Sequence, residues 1–404
     1  MRSAPLLAST VLAAAVVGGV PTLAQGSQEE ELSDNVRKVV EGNTRFALDL
    51  YARLRSSEGN LAFSPHSLST ALAMTCAAAR GRTAKEIEQV LHFPLEGSAL
   101  HAAFAELARR LELRAGSDRP RIELSVANAL WSDVSETIRP EYLALLRERY
   151  LGGVEQLDFQ DPAAAARRIN TWTFERTLER IRELVEPDDV DRAAFVLTNA
   201  IAFRGDWQLP FAQAETSEAD FHLTAERTAK VPMMHRRGPA YYARTDRYQV
   251  LELTFAGEHH AMTFLLPDEV DGLAAVERAL DSAELAACLA GLQPTTVTID
   301  LPRFELRSRF ELADVLSALG MPTAFSGAAD FTGMIEKPGV FLTRVIHEAL
   351  VEVDEQGAEA AAATAVIGKR SAPPVAFCAD HPFLFLIRQR EAGTVLFLGR
   401  FAGP

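Results

Sequence analysis

Cysteine is scarce in this chain, with three among 404 residues. Three thiols cannot form a disulfide framework, and Cys76, Cys288 and Cys378 lie too far apart for a paired-cysteine metal site of short spacing. They read as small apolar residues, with Cys378 a reactive thiol only if it is exposed. Basic residues are outnumbered, 41 against 55 acids, for a net charge of −14. That balance excludes a phosphate-neutralising surface and with it a nucleic-acid partner. After Val20 no apolar run long enough to cross a bilayer recurs, so no membrane span is expected. The common catalytic signatures are absent: no Gly-x-Ser-x-Gly elbow, no Walker-type loop and no Gly-x-Gly-x-x-Gly fingerprint. His347-Glu348 begins like a zinc motif, but the position where a second His belongs is Val351. His259-His260 sits in a strand-like run, where neighbours face opposite ways and no third ligand is near. Neither a metal, a cofactor nor an enzymatic activity is expected.

What is present is the ordinary balance of a folded chain, 48% hydrophobic and 24% charged. Arg2, an apolar run from Leu6 to Val20, and Thr22-Leu23-Ala24 read as a secretory signal cut near Ala24. The expectation is a signal peptide over 1–24, a secreted, extracellular or periplasmic product, and one domain over 25–404. No linker or repeat divides that domain.

The first half reads mainly helical. Phe46, Leu50, Tyr51 and Leu54 share one helical face, as do Leu68, Leu72 and Cys76. Ser64-Pro65 supplies a cap residue followed by a Pro that suits the first turn. Asp161-Pro162 starts a further helix expected over 163–184, with Ile169, Trp172 and Ile181 inward. Strands are expected over 121–131, 193–203, 248–254, 260–266, 297–301, 340–353, 383–388 and 395–401. Helices first and many strands later give an α+β fold with large mixed or antiparallel sheets.

One segment resists a single local reading. Residues 355–366 run Glu-Gln-Gly-Ala-Glu-Ala-Ala-Ala-Ala-Thr-Ala-Val. Alanines flanked by Glu favour a helix. The same small side chains could instead slide between two strands, with Gly357 providing freedom for a pivot. This segment resembles the hinge of the reactive loop in serpins. Six further blocks occur in the family's order. Phe63-Ser64-Pro65-His66-Ser67 is similar to the early Phe-Ser-Pro-x-Ser motif. Asn199 to Trp207 matches Asn-x-x-x-Phe-Lys-Gly-x-Trp, with Arg204 in place of Lys. Leu319-Gly320-Met321 with Ala324-Phe325, Asp330 to Met334, Ala379 to Phe385, and Leu396 to Phe401 complete the set.

The resemblance implies a serpin fold with a large central mixed or antiparallel sheet, further smaller sheets, about eight or nine helices and an exposed loop over about 355–375. It implies a suicide-substrate inhibitor of serine proteases. The protease forms an acyl-enzyme on the loop, and the cut loop enters the sheet as a new strand, stalling deacylation. A dozen ladder hydrogen bonds at ~1 kcal/mol net each give on the order of 10 kcal/mol. The implied hinge comprises Glu355, Gly357, Ala358, Glu359, Ala360, Ala361, Ala362, Ala363 and Thr364. Alternate residues Ala358, Ala360, Ala362, Thr364 and Val366 would face inward, and none is charged or large. The implied gate beneath the opening is Ser64, Ser67, Asn199 and His347, with Trp207 and Glu355 near the top.

Counting from Glu355 by the family's usual spacing ends at Arg370, or one residue later at Ser371. Arg370-Ser371 suits a trypsin-like target, whereas Ser371-Ala372 suits an elastase-like one and Lys369-Arg370 a subtilisin-like one. A cysteine protease is a further alternative, and a non-inhibitory binding or chaperone protein is the rival of a different class. The partner expected is a target serine protease in a covalent complex with a monomeric inhibitor. Arg109, Arg110, Arg114, Arg119 and Arg121 lie where some relatives bind glycosaminoglycan, but interspersed acids favour a solvated mixed-charge face. An exposed loop and an already inserted one are both compatible with these residues.

Overall fold

The structure is a computed structural model that describes residues 32–115, 122–150, 153–356 and 375–404, without the side chains of 112–115. The expected leader, the hinge from Gly357 through Ala358, Glu359, Ala360, Ala361, Ala362 and Ala363 to Thr364, and the candidate bond at Arg370, Ser371 and Ala372 lie outside the described residues. The elements below all belong to one unit, Ser33–Pro404.

The chain begins with α1 (Asp34–Leu54), where the Ser33 hydroxyl accepts from the Val36 amide and one face buries Phe46, Leu50, Tyr51 and Leu54. β1 (Leu61–Phe63) leads into α2 (Pro65–Ala78), capped by Ser64 with Pro65 in its first turn. Then come α3 (Gly81–Val90), α4 (Gly97–Ala115), β2 (Ile122–Asp133), α5 (Pro140–Arg149) and β3 (Gly153–Leu157). α6 (Pro162–Arg176) and the single-turn α7 (Pro187–Val190) precede β4 (Phe195–Gly205). A run of strands follows: β5 (Ser217–Thr224), β6 (Arg227–Arg244), β7 (Tyr248–Thr254) and β8 (His260–Pro267). After α8 (Leu273–Ala279) and α9 (Ser282–Ala290) come β9 (Gln293–Pro302), β10 (Phe304–Glu311) and α10 (Ala313–Leu319). The last strands are β11 (Leu342–Val353), β12 (Val375–Cys378), β13 (Phe383–Gln389) and β14 (Val395–Phe401).

The helix expected over 163–184 stops at Arg176. Leu178 and Glu179 adopt left-handed backbone angles, φ 50° and 63°, which no helix continues through. The chain beyond that turn still buries Ile181 and Leu184 beside Ile169. Trp172 packs only partly buried against the same cluster, edge-on to Trp131.

Two sheets result. The nine-stranded sheet runs β1-β14-β13-β8-β7-β6-β9-β12, with β5 on β6, and every ladder except β12–β9 is antiparallel. The five-stranded sheet runs β10-β11-β4-β2-β3. There β10–β11 and β4–β2 are antiparallel, whereas β11–β4 and β2–β3 are parallel. Phenylalanines join the sheets: Phe304 of β10 stacks on Phe401 of β14 at 4.8 Å, with Phe383 and Phe385 alongside. The buried charge pair of Arg400 and Glu277 is satisfied by the Tyr51 hydroxyl, which donates to Glu277 at 2.6 Å.

Candidate functional site

The centre of the five-stranded sheet is a parallel pair. β11 and β4 are direct neighbours from Leu342↔Phe195 to Val351↔Phe203, with no strand between them. Side chains on this pair alternate across the two faces, and both strands are buried along nearly their whole length.

Strand register sets the polar cluster in one row. Asn128 of β2 pairs with Asn199 of β4, Asn199 with His347 of β11, and His347 with Phe310 of β10. The start of α2 lies against this row. The Ser64 amide donates to His347 Nε2 at 3.1 Å, so that nitrogen is the acceptor. His347 Nδ1 therefore carries the proton and donates to Asn199 Oδ1 at 2.5 Å. The Asn199 amide donates in turn to Ser67 Oγ at 2.6 Å and to Asn128 Oδ1. Ser67 Oγ completes the set by donating to Asn128 Oδ1 at 3.2 Å, while its amide donates to Ser64 Oγ. Burial pushes the His347 imidazole down to about 3, against the opposing pull of its bond to Asn199. A neutral ring is what the network needs, because a second ring proton would face the Ser64 amide.

The structure thus brings Ser64, Ser67, Asn199 and His347 into contact and adds Asn128, which the sequence reading missed. The available signal was a lone Asn inside an otherwise apolar stretch of strand, Val126 to Trp131. Such an Asn at a buried position needs a partner, but strand pairing has to be known before the partner can be named.

Trp207 and Glu355 lie apart from that row, at the end of the β4–β11 pair. Trp207 stacks on Phe255 with centroids 4.6 Å apart and donates from its indole to the Asp354 carbonyl at 2.9 Å. The Glu355 carboxylate accepts from Thr216 Oγ1 at 2.8 Å and faces Arg303 at 3.5 Å. Its carbonyl accepts from the Phe211 amide. Arg204, the departure from the family's Lys, fans along the end of β11: it donates to Gln356 Oε1 at 2.8 Å and reaches Asp354 at 3.5 Å and Glu352 at 4.0 Å. Next to it, Gly205 has no room for a side chain, since a Cβ there would stand 2.7 Å from the Phe255 ring.

Other candidates resolve differently. Cys378 is exposed, yet its thiol is pushed up to about 12, first by desolvation of the sulfur and then by Asp380 and Asp300. It is a protonated, weakly nucleophilic thiol at neutral pH. Cys76 and Cys288 are buried. His259 pairs with Glu391, whereas His260 is buried and held down to about 4 by desolvation. Among the described residues no cluster of His, Cys, Asp or Glu could hold a metal. Of the five arginines near 110, Arg109 and Arg110 have described side chains, and Arg110 pairs with Glu106 at 3.1 Å. No described helix is long and apolar enough to cross a membrane.

The sequence and this architecture match known proteins closely. The family model for Serpin (serine protease inhibitor) matches residues 41–404. An uncharacterised serpin-like protein of Thermococcus kodakarensis is 39% identical over 374 residues, covering 91% of this chain and 86% of that protein. Leukocyte elastase inhibitor of Bos taurus is 37% identical over 376 residues, covering 90% and 98%. The solved structure of uncleaved ovalbumin superimposes with a TM-score of 0.82 at 29% identity, over 91% of this chain and 100% of that one. The chain belongs to the serpin family, and its α+β architecture is the serpin fold.

Proposed function

We propose that this serpin is a secreted, monomeric, single-use inhibitor of a trypsin-like serine protease. The observation that carries the reading is the unbroken β4–β11 pair above a polar network of neutral side chains. Separating those strands requires breaking ladder bonds that an incoming strand can remake on both sides, and the network can be rearranged without burying an unpaired charge. The small, uncharged alternation from Ala358 to Val366 suits insertion there, and Glu359 would stay on the solvent side. In this reading Ser64, Ser67, Asn199 and His347 form the gate, Trp207 and Glu355 mark where insertion begins, and Arg370 is the bait before Ser371. The segment 1–24 would direct export, leaving Gln25 as the first residue, which amino-terminal sequencing of the secreted product checks.

The test is incubation of the mature protein with trypsin, followed by denaturing gels and mass spectrometry. A complex that survives denaturation, with a released peptide beginning at Ser371, is the expected result. A peptide beginning at Ala372 would move the bond by one residue and favour an elastase-like target. Cleavage by trypsin-, elastase- and subtilisin-like enzymes with no trapped complex would overturn inhibition of serine proteases in favour of a binding or chaperone role.

A further inference from the structure

One face of the nine-stranded sheet carries a row of side chains that protease inhibition does not use. His235 of β6 stands directly opposite Asp300 of β9, and Asp300 directly opposite Cys378 of β12. Directly opposed residues project to the same face, so these side chains form one line across the strands. Ser217 opens β5, which pairs with β6. Its partner there is Met233, which places Ser217 on the diagonal from His235 and on the same face.

Distances within this row assign a role to each group. His235 Nδ1 is 2.6 Å from Asp300 Oδ1. A carboxylate can only accept, so Nδ1 carries a proton and donates it. In the neutral ring Nε2 is then the free base, and the Ser217 hydroxyl donates to it over 3.4 Å. Asp300 is held from its other side. The Ala379 amide donates to its carbonyl at 2.9 Å, and the protonated Cys378 thiol lies within hydrogen-bonding reach of its carboxylate and of Asp380. Asp380 is fixed in turn by His381 at 2.7 Å, and His381 also bonds the Pro267 carbonyl. The His235 and Asp300 side chains are 36% and 30% exposed and Ser217 is exposed, so a small molecule can reach the hydroxyl while the base is oriented from behind.

A serine hydroxyl bonded to an imidazole that a carboxylate orients is the arrangement that turns serine into a nucleophile. We propose that Ser217, with His235 as base and Asp300 as positioning residue, forms a site that takes acyl groups from activated esters. Ser217 Oγ attacks the ester carbonyl as His235 Nε2 takes the hydroxyl proton. The bond from the carbonyl carbon to the leaving oxygen breaks, and His235 passes the proton to that oxygen, leaving an ester on Ser217. Water then hydrolyses this ester, its hydroxyl going to the acyl carbon and its proton to Ser217 Oγ. The row itself brings no donor to a developing oxyanion, so the ester must carry a leaving group already stable as an anion, as an aryl ester does. Serine is a poorer leaving group than an aryl oxygen, so the acyl group goes on faster than water removes it.

This chemistry uses no loop residue, and it is measured on the full-length mature protein with no protease present. Its failure and the failure of protease inhibition are therefore separate results. The probe is p-nitrophenyl acetate, read by p-nitrophenolate release, intact mass and peptide mapping. A burst of about one equivalent is expected, with the acetyl group on Ser217. Ser217→Ala, at an exposed position that does not endanger the fold, should lose the burst. His235→Ala should slow acylation about a hundredfold or more, and added imidazole should restore part of the rate. Asp300→Asn should slow it about tenfold or more. Asp300→Glu keeps the charge and should be the milder change, whereas a merely structural role would make the isosteric Asn milder. The proposal is overturned by the absence of a burst, by acetyl groups on lysine or tyrosine in place of Ser217, or by a burst that survives Ser217→Ala. Ser217 acetylation at the wild-type rate in His235→Ala would overturn it as well.

Discussion

The two sheets of this serpin are held by different chemistry. Where the nine-stranded sheet meets β10, the contact is phenylalanine: Phe304, Phe383, Phe385 and Phe401, with ring centroids 4.8 to 6.2 Å apart. At the centre of the five-stranded sheet the contact is a chain of hydrogen bonds through Asn128, Asn199, His347, Ser64 and Ser67. Apolar burial has no substitute in an opened state, because the rings simply meet water. Neutral hydrogen bonds can be re-formed to water or to another strand, so their net worth is small while their satisfaction in the closed state is complete. One region resists any rearrangement, and the other resists only an incomplete one.

The largest expected effect adds to one side of that contrast alone. Cleavage of the loop should raise stability by about 10 kcal/mol through new ladder bonds in the five-stranded sheet. Differential scanning calorimetry of intact and cleaved chains should show the midpoint rising by roughly 10–15 °C; an unchanged midpoint would mean that the sheet does not accept the strand. Next, Phe383→Ala should cost about 3–5 kcal/mol in denaturant unfolding, as loss of a large buried ring does. A loss below that of Asn199→Ala would reverse the contrast between the sheets.

Asn199→Ala strips the acceptor from His347 and the donor from Ser67 and Asn128, and should cost about 1–3 kcal/mol. If the polar row governs opening, this variant should also be cleaved at the loop and inserted faster than wild type, whereas Phe383→Ala should not. The pH dependence is smaller per step. His347 is held near 3 in the folded chain and titrates near 6.5 when unfolded, so between those values the unfolded state binds the extra proton. Its contribution is complete above about pH 6.5 and falls away as pH drops toward 3, by up to ~1.4 kcal/mol per pH unit. His66 and His260 are displaced in the same direction. Urea midpoints measured against pH should therefore flatten, without becoming level, in His347→Asn. Smallest is Arg204→Gln: its ion pairs are partly exposed, and about 0.5 kcal/mol is expected, read by loop-insertion rate at low and high salt.

Parts of this were legible in the residues. The alternating apolar runs gave β7 and β14 at their observed bounds, and Ser64-Pro65 marked the start of α2 because capping is a local property. The helix ending at Arg176 was overextended because apolar spacing continues through Ile181 and Leu184, while the turn at Leu178 and Glu179 is imposed by packing. The long β6 escaped notice because Lys230, Arg236 and Arg237 interrupt its apolar pattern, a burden it can carry with one side partly in solvent. Ser64, Ser67, Asn199 and His347 were found through family resemblance rather than periodicity, since they are spread over 284 positions of sequence from Ser64 to His347. Asn128 had no motif to announce it, only its place as a lone Asn in an apolar run, and its partner Asn199 is known only from the strand register.

Strand direction gives the parallel ladder between β4 and β11 a further meaning. Across β10, β11, β4 and β2 the directions would alternate but for that one place, where two like-directed strands stand side by side. A segment continuing from β11 and turning back at Glu355 runs opposite to β11, and therefore opposite to β4 as well. Placed between them, it exchanges one slanted ladder for two perpendicular ones and makes the four-strand stretch alternate throughout. The described strands thus leave one break in the alternation of directions, and a strand antiparallel to β11 is the one that would mend it.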